Sequence, residues 1–368
     1  MNATALSQGD PALKIVALEA RVVTVPMAPH RTASVTVVAS PLVLVSVTTE
    51  AGHRGDAILF TYTPIAQKPC AEFITGCAAL VVGKELSPTA ISDALHARFR
   101  LLGTQGIAGM ALAGIDMALW DAFAKSREQA LHVLLGGETA PLKYYGSIGM
   151  DGAEGSAREA ERWARQGALG VKAKIGYASL DEDVAVIRAM RDAVGPDVSL
   201  MVDYNQCLSA AEAARRLRQL DVEGLHWIEE PILAHDWTGL ERLRREIRTP
   251  IQCGENWWGP LDFRHAVETG VRDLFMADVM KAGGVTGWIR VSALAQTYGI
   301  TLSTHLWPEI SSRLLLTSPN AGWVEYSDWW NPILTEPLRL EGGVVRVDEA
   351  PGTGVTFDDV AVERYAGG

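Results

Sequence analysis

From about residue 140 onward the chain repeats one unit: a short apolar run, a polar residue at its end, then a stretch with apolar residues at i, i+3 and i+4. The runs are 142-LKYYGSI-148, 169-LGVKAKI-175, 198-VSLMVDY-204, 225-LHWIEE-230, 250-PIQCGE-255, 274-LFMADV-279, 300-ITLSTHL-306 and 321-AGWVEY-326. Between them, stretches such as 181-DEDVAVIRAMRDAV-194, 209-SAAEAARRLRQL-220 and 285-VTGWIRVSALAQTYG-299 read as helices. Short apolar strands alternating with helices form a parallel sheet, and eight in succession are the number that closes a barrel.

The first third reads as a separate α+β unit, with strands near 13–25, 42–50 and 55–60 followed by helices over roughly 66–126. Residues 26–40 between its first two strands are expected to form a functional loop. The expected division is an α+β domain over 1–135, a barrel over 136–329, and an irregular segment, 330–368, packing back on the first domain. A chain of 368 residues with 48% hydrophobic content can build two such cores.

A formal charge of −11 argues against a nucleic-acid partner, and the one basic run, 242-RLRREIR-248, is interleaved with Glu241 and Glu246 as on a solvated helix face. Cys70, Cys77, Cys207 and Cys253 show no metal spacing and suit a reducing cytoplasm. The start, MNATALSQGDPALKIV, has no basic region followed by an apolar one, and no segment approaches 18 uninterrupted apolar residues. No membrane association is expected.

The later strands finish in Asp203, Glu229, Glu255, Asp278, His305 and Glu325, spaced 26, 26, 23, 27 and 20 residues apart. One strand–helix unit per interval sets them side by side on one rim, the C-terminal mouth where barrel sites are built. Each acid alone could cap the following helix. Three carboxylates together, Asp203, Glu229 and Glu255, repel one another unless some take up protons or a cation neutralises them. All-oxygen ligands point to Mg²⁺, with Mn²⁺ possible.

Lys172 and Lys174 share a strand face and join that rim. With a metal they make a cationic pocket for a substrate carboxylate, although they could simply snorkel. Repulsion from Lys172 and the metal is expected to depress the pKa of Lys174 and make it a general base. His305, beside Asp278, offers a second base. Glu325 is expected to be protonated, donating to an oxygen that gains charge, or else to pair with Lys172. The glycine run 282-AGGVTG-287 reads as a tight turn, and Trp257 and Trp258 read as packing residues.

At these residues the chain resembles the enolase superfamily, specifically its mandelate racemase subgroup. VKAKIG, MVDYNQ, WIEEP, GENW, ADVMKAGGVTGW, THLWPEIS and WVEY match the barrel motifs in order; LFTYTP and GIDMALWDA match the capping domain. The resemblance implies a modified TIM barrel, (β/α)7β, under an α+β capping domain. It also implies Mg²⁺ on Asp203, Glu229 and Glu255, with Lys174 on one face of the substrate α-carbon and the Asp278–His305 pair on the other. Lys172 and Glu325 would contact the substrate carboxylate, and Ser147 and Asn205 would lie beside it. Sibling enzymes form symmetric oligomers, so a homo-oligomer is expected. Where mandelate racemase presents valines to an aromatic ring this chain has His30, Ser34 and Val37, and Ser327 replaces a leucine. A small carboxylate more polar than mandelate follows. Racemisation or epimerisation of a 2-hydroxy carboxylate through an enediolate is the first reading, and dehydration of an acid sugar by the same chemistry is the alternative. A third reading is an idle metal-binding barrel, which Lys174, Asp278 and His305 oppose because none is needed to hold the metal.

Overall fold

Strands β1 (Ile15–Arg31) and β2 (Thr36–Thr49) form one long antiparallel hairpin, and β3 (Arg54–Phe60) pairs with the second arm. The computed structural model describes residues 13–366, so the reading of the N-terminal start lies partly outside the described residues. Residues 26–40 are therefore not a long loop. The β-branched run Thr36–Val38 continues the ladder, pairing Thr36 with Arg31 and Val37 with His30, while the prolines at 26 and 29 fall within a register shift between Pro26 and His30. Only residues 32–35 turn, and the Thr32 hydroxyl fixes them by accepting from the backbone N–H of Ser34 and Val35.

Behind this sheet runs the helix Gly106–Ser126, whose residues are buried nearly all round. It is the one helix among the described residues long and apolar enough to cross a membrane by composition, yet 83% of its apolar window is buried inside the protein. Two acids in it dock the elements together. Asp116 accepts from the Thr286 backbone N–H (2.9 Å) and hydroxyl (2.6 Å) at the start of the barrel helix Gly284–Thr297. The carboxylate lies so close that a Cβ at Gly284 would meet its Oδ2 at 2.4 Å. The glycine run is thus a tight turn whose helix N-terminus is filled by the protein's own acid. Asp121 accepts from the backbone N–H of Asp56 (2.8 Å) and Thr353 (2.6 Å), tying sheet, helix and C-terminal segment.

The barrel strands are β4 (Leu142–Ile148), β5 (Gly170–Lys174), β6 (Ser199–Asp203), β7 (Trp227–Glu229), β8 (Ile251–Cys253), β9 (Leu274–Asp278), β10 (Thr301–His305) and β11 (Val324–Tyr326). Parallel pairing runs unbroken from β4 to β10, and β11 pairs with β4. The remaining gap is bridged by Thr304 N–H donating to the Trp323 carbonyl (2.9 Å) and Gly322 N–H donating to the Leu302 carbonyl (2.7 Å). Beyond the barrel, β12 (Arg339–Glu341) and β13 (Val344–Arg346) form a hairpin, with β13 antiparallel to β4. Further along, Ala366 bridges Val23 and Arg21 pairs with Asp359 at 3.2 Å. The C-terminal segment therefore touches both the barrel and the first sheet. The basic run lies on a helix and is paired, Arg242 with Glu246 at 2.9 Å and Arg244 with Asp273 at 2.5 Å.

Burial pushes the Asp116 carboxyl up to about 7 against the pull of its Thr286 bonds. The folded protein then keeps a proton that the unfolded chain releases near pH ~4. The stability linked to that proton is fully present below the unfolded pKa and is lost as pH rises through the folded one. Thermal melts across this range should show Tm falling from about pH 4 to about pH 7. Asp116→Asn, which keeps an acceptor but cannot ionise, should flatten part of the slope, the rest coming from Glu309, which burial also raises to about 7.

Candidate active site

The strand register brings the predicted rim residues together. Lys174 pairs with Asp203 across β5 and β6, Asp203 with Glu229 across β6 and β7, and Asp278 with His305 across β9 and β10. Glu255 lies two residues past β8 rather than at its end. The chain turns at Gly254 with φ 134°, where a Cβ would strike the Met276 carbonyl at 2.6 Å. The turn swings Glu255 into line. Ligand oxygens of Asp203, Glu229 and Glu255 all lie within 4.8 Å of one another, and all three residues are buried.

The lysines do not snorkel. Lys172, wholly buried, reaches Glu229 at 2.5 Å, Glu325 at 3.1 Å and Asp203 at 3.7 Å, while Lys174 donates to Asp203. These contacts bear on two expectations about charge. Among the protein's own groups, burial and Lys172 oppose a proton on Lys174, and Asp203 with Glu255 and Glu229 raises its pKa; the depression expected with a metal beside it concerns the loaded site. Burial likewise opposes ionisation of Glu325, yet Lys172 and His305 hold its carboxyl below the usual range, so of the two expected states it takes the pairing with Lys172. Through-space distance decided both, and sequence spacing does not report it.

His305 Nδ1 stands 2.8 Å from Asp278 Oδ2, and Nε2 stands 3.3 Å from Glu255. Burial disfavours the imidazolium, but Glu255 and the Asp278 hydrogen bond prevail and raise its pKa, as a carboxylate partner should. Lys174 on β5 and His305 on β10 are three strands apart one way round and five the other, which sets them on nearly opposite walls.

The residues fit a divalent cation. Six buried carboxyl groups (Asp203, Glu229, Glu230, Glu255, Asp278, Glu325) face Lys172, Lys174, Lys281 and His305, leaving an excess of negative charge. Burial, with Asp203 and Glu255 adding to it, pushes Glu229 well above the usual carboxylate range despite Lys172. Glu255 Oε2 is buried and makes no hydrogen bond, with His305 Nε2 at 3.3 Å as its nearest cation. Asn205, with φ 43°, folds back so that its N–H donates to Asp203 at 2.6 Å and its side-chain amide at 3.2 Å. If the triad seats magnesium, melting temperature should climb with Mg²⁺ concentration, by about 2.7 kcal/mol of added stability at a hundredfold excess over Kd. Glu255→Gln should remove most of that shift.

The predicted substrate wall divides. His30, Ser147 and Ser327 border a cleft of about 480 Å³ beside the mouth, together with Trp329, whose ring lies 5.3 Å from that of His30. Ser147 pairs in register with Lys172. The Ser327 hydroxyl is buried without a partner. Burial and then Lys174 lower the His30 pKa to about 4, so the ring is neutral at physiological pH. Ser34 does not border this cleft; the hairpin turn places it at the tip, exposed. Trp257 is fully buried, with its indole N–H donating to the Ala234 carbonyl, and Trp258 packs under Gly109 of the first-domain helix.

Sequence reasoning missed a polar chain behind the rim. Glu230, buried, accepts from Asn256 at 2.7 Å, and Asn256 accepts from Lys281 at 2.6 Å. Lys281 lies over the ring of Tyr62, whose hydroxyl donates to Asp278 Oδ2 at 3.3 Å. The doubled acid in WIEEP was the available signal for Glu230, and the LFTYTP motif was the one for Tyr62.

The mandelate racemase / muconate lactonizing enzyme N-terminal domain matches residues 17–136, and the enolase C-terminal domain-like family matches residues 155–361. A solved enolase from Bradyrhizobium, complexed with magnesium and mandelic acid, is 40% identical, with 96% of this chain and 98% of that chain covered at a TM-score of 0.91. D-galactarolactone cycloisomerase of Agrobacterium fabrum is 28% identical over 322 residues, 81% of this chain and 85% of that protein. Arabinonate dehydratase of Saccharolobus solfataricus is 29% identical over 286 residues, 74% of this chain and 76% of that protein. The fold and the matches together define an enzyme of the enolase superfamily with magnesium as its cofactor. The chain belongs to the mandelate racemase / muconate lactonizing enzyme family. Curated relatives include acid-sugar dehydratases and cycloisomerases, which reverses the expected order: dehydration is better supported than racemisation.

Proposed function

We propose that the protein dehydrates an acid sugar, removing the α-proton of a polyhydroxylated carboxylate and expelling its β-hydroxyl. The carrying observation is the pair of proton carriers on nearly opposite walls, Lys174 and the Asp278–His305 pair, beside a cleft bordered by His30, Ser147 and Ser327. Magnesium, held by Asp203, Glu229 and Glu255, would polarise the substrate carboxylate and stabilise the second negative charge that proton removal creates.

Lys172 neutralises the incoming carboxylate, and that new charge beside Glu325 favours the proton Glu325 needs to donate a hydrogen bond. Asp203, with Glu255 and Glu229, holds the proton on Lys174; with Lys172 alongside, a cation neutralising those three acids would turn it into a base. The raised His305 serves as the acid that expels hydroxide as water. The neutral His30 and the unpartnered Ser327 hydroxyl can bond substrate hydroxyls, which a phenyl ring lacks. The free cysteines support a reducing cytoplasm as the compartment.

A second reading, racemisation of a 2-hydroxy acid, is favoured by the mandelic acid held by the Bradyrhizobium neighbour. A panel of aldonates, aldarates and aryl 2-hydroxy acids separates the two. Dehydration yields a 2-keto acid; loss of optical rotation without keto product would replace it with racemisation.

A further inference from the structure

We infer that Tyr62, which the first domain contributes, is a positioning residue for the Asp278–His305 pair and thereby governs proton transfer on one face of the substrate only. The inference rests on the two-carrier reading above. Tyr62 follows β3 with φ 59°, a left-handed conformation that a bulky L-residue avoids unless its surroundings impose it. Here they do. The Thr61 backbone N–H donates to the Pro41 carbonyl (2.9 Å) and the Thr63 N–H donates to the Thr61 carbonyl (2.7 Å), pinning the turn from both sides. Phe60 packs on the Tyr62 ring at 4.8 Å, and the Lys281 ammonium lies 4.7 Å from its centroid.

The hydroxyl so aimed stands 3.3 Å from Asp278 Oδ2, the same oxygen that lies 2.8 Å from His305 Nδ1. Asp278 Oδ1 is held separately by the Lys281 backbone N–H at 2.9 Å. Three donors therefore fix the plane of one carboxylate, and that plane aims the imidazole. Two of them belong to the barrel. The third crosses from the first domain, so docking of that domain and the orientation of His305 are one event. Lys174 is oriented by Asp203 instead, with no part played by Tyr62.

The test is Tyr62→Phe in the magnesium-loaded full chain, which keeps the ring and its packing. Two readouts are used. In histidine-labelled protein, the His305 Nδ1–H resonance, identified by its loss in His305→Asn, should exchange with water roughly tenfold faster once the carboxylate is free to turn. In D₂O, α-deuterium uptake by D- and L-glycerate should fall roughly tenfold for one enantiomer and stay unchanged for the other. An unaltered Nδ1–H exchange rate, or equal loss on both enantiomers, overturns the inference. If the wild-type enzyme exchanges neither enantiomer, the result counts against the two-carrier reading, and the imidazole proton alone decides the role of Tyr62.

Discussion

Lys174→Ala should lose turnover by roughly 100- to 10,000-fold, the usual contribution of a positioned general base, while still binding magnesium and substrate. The size follows from position. Lys174 has a single carboxylate in ion-pair contact, Asp203, and removing the lysine leaves His305 with no partner across the cavity. Asp203 loses a counter-charge but keeps Lys172 at 3.7 Å, so the fold should survive. Single-turnover kinetics with isothermal titration of Mg²⁺ check both halves. A variant retaining more than about a tenth of wild-type turnover would remove Lys174 from the chemistry.

Lys172→Met should act differently, on stability as well as rate. Lys172 is wholly buried among Asp203, Glu229 and Glu325, and its loss leaves acids without their cation. Breaking a buried ionic cluster from one side costs about 3–5 kcal/mol. The loss should be largest in chelator and smaller when magnesium is present, because a divalent ion restores part of the missing positive charge. Turnover in saturating magnesium should still be down by about 100- to 1,000-fold, since a donor aimed at the developing charge is gone. Melts with and without chelator separate the effects, and a variant as stable as wild type in chelator would contradict the buried-cluster account.

The barrel and its rim were legible because one strand–helix unit per 20 to 27 residues returns each strand end to the same mouth. Asp203, Glu229, Glu255, Asp278, His305 and Glu325 fall out of that period. Protonation was not legible. The contacts Lys174–Asp203 and Lys172–Glu325, on which the charge of both groups depends, join different strands at distances no spacing encodes. The hairpin was misread because the prolines at 26 and 29 look like loop residues, whereas a register shift absorbs them. Tyr62 stands in the quoted LFTYTP motif, yet its role was not legible there, since that role depends on how two domains dock. Asp116 and Asp121, by contrast, sit in the GIDMALWDA motif and do the docking.

The most direct measurement of the central claim, that an α-proton is drawn off between opposing carriers, is the fate of a label at C2. Acid sugars deuterated at that carbon would be incubated with the magnesium enzyme in ordinary water and the products weighed. The account predicts a 2-keto-3-deoxy acid free of deuterium, formed more slowly than from unlabelled substrate. Deuterium retained in the product, or no turnover of any acid sugar by enzyme that binds magnesium, would contradict it.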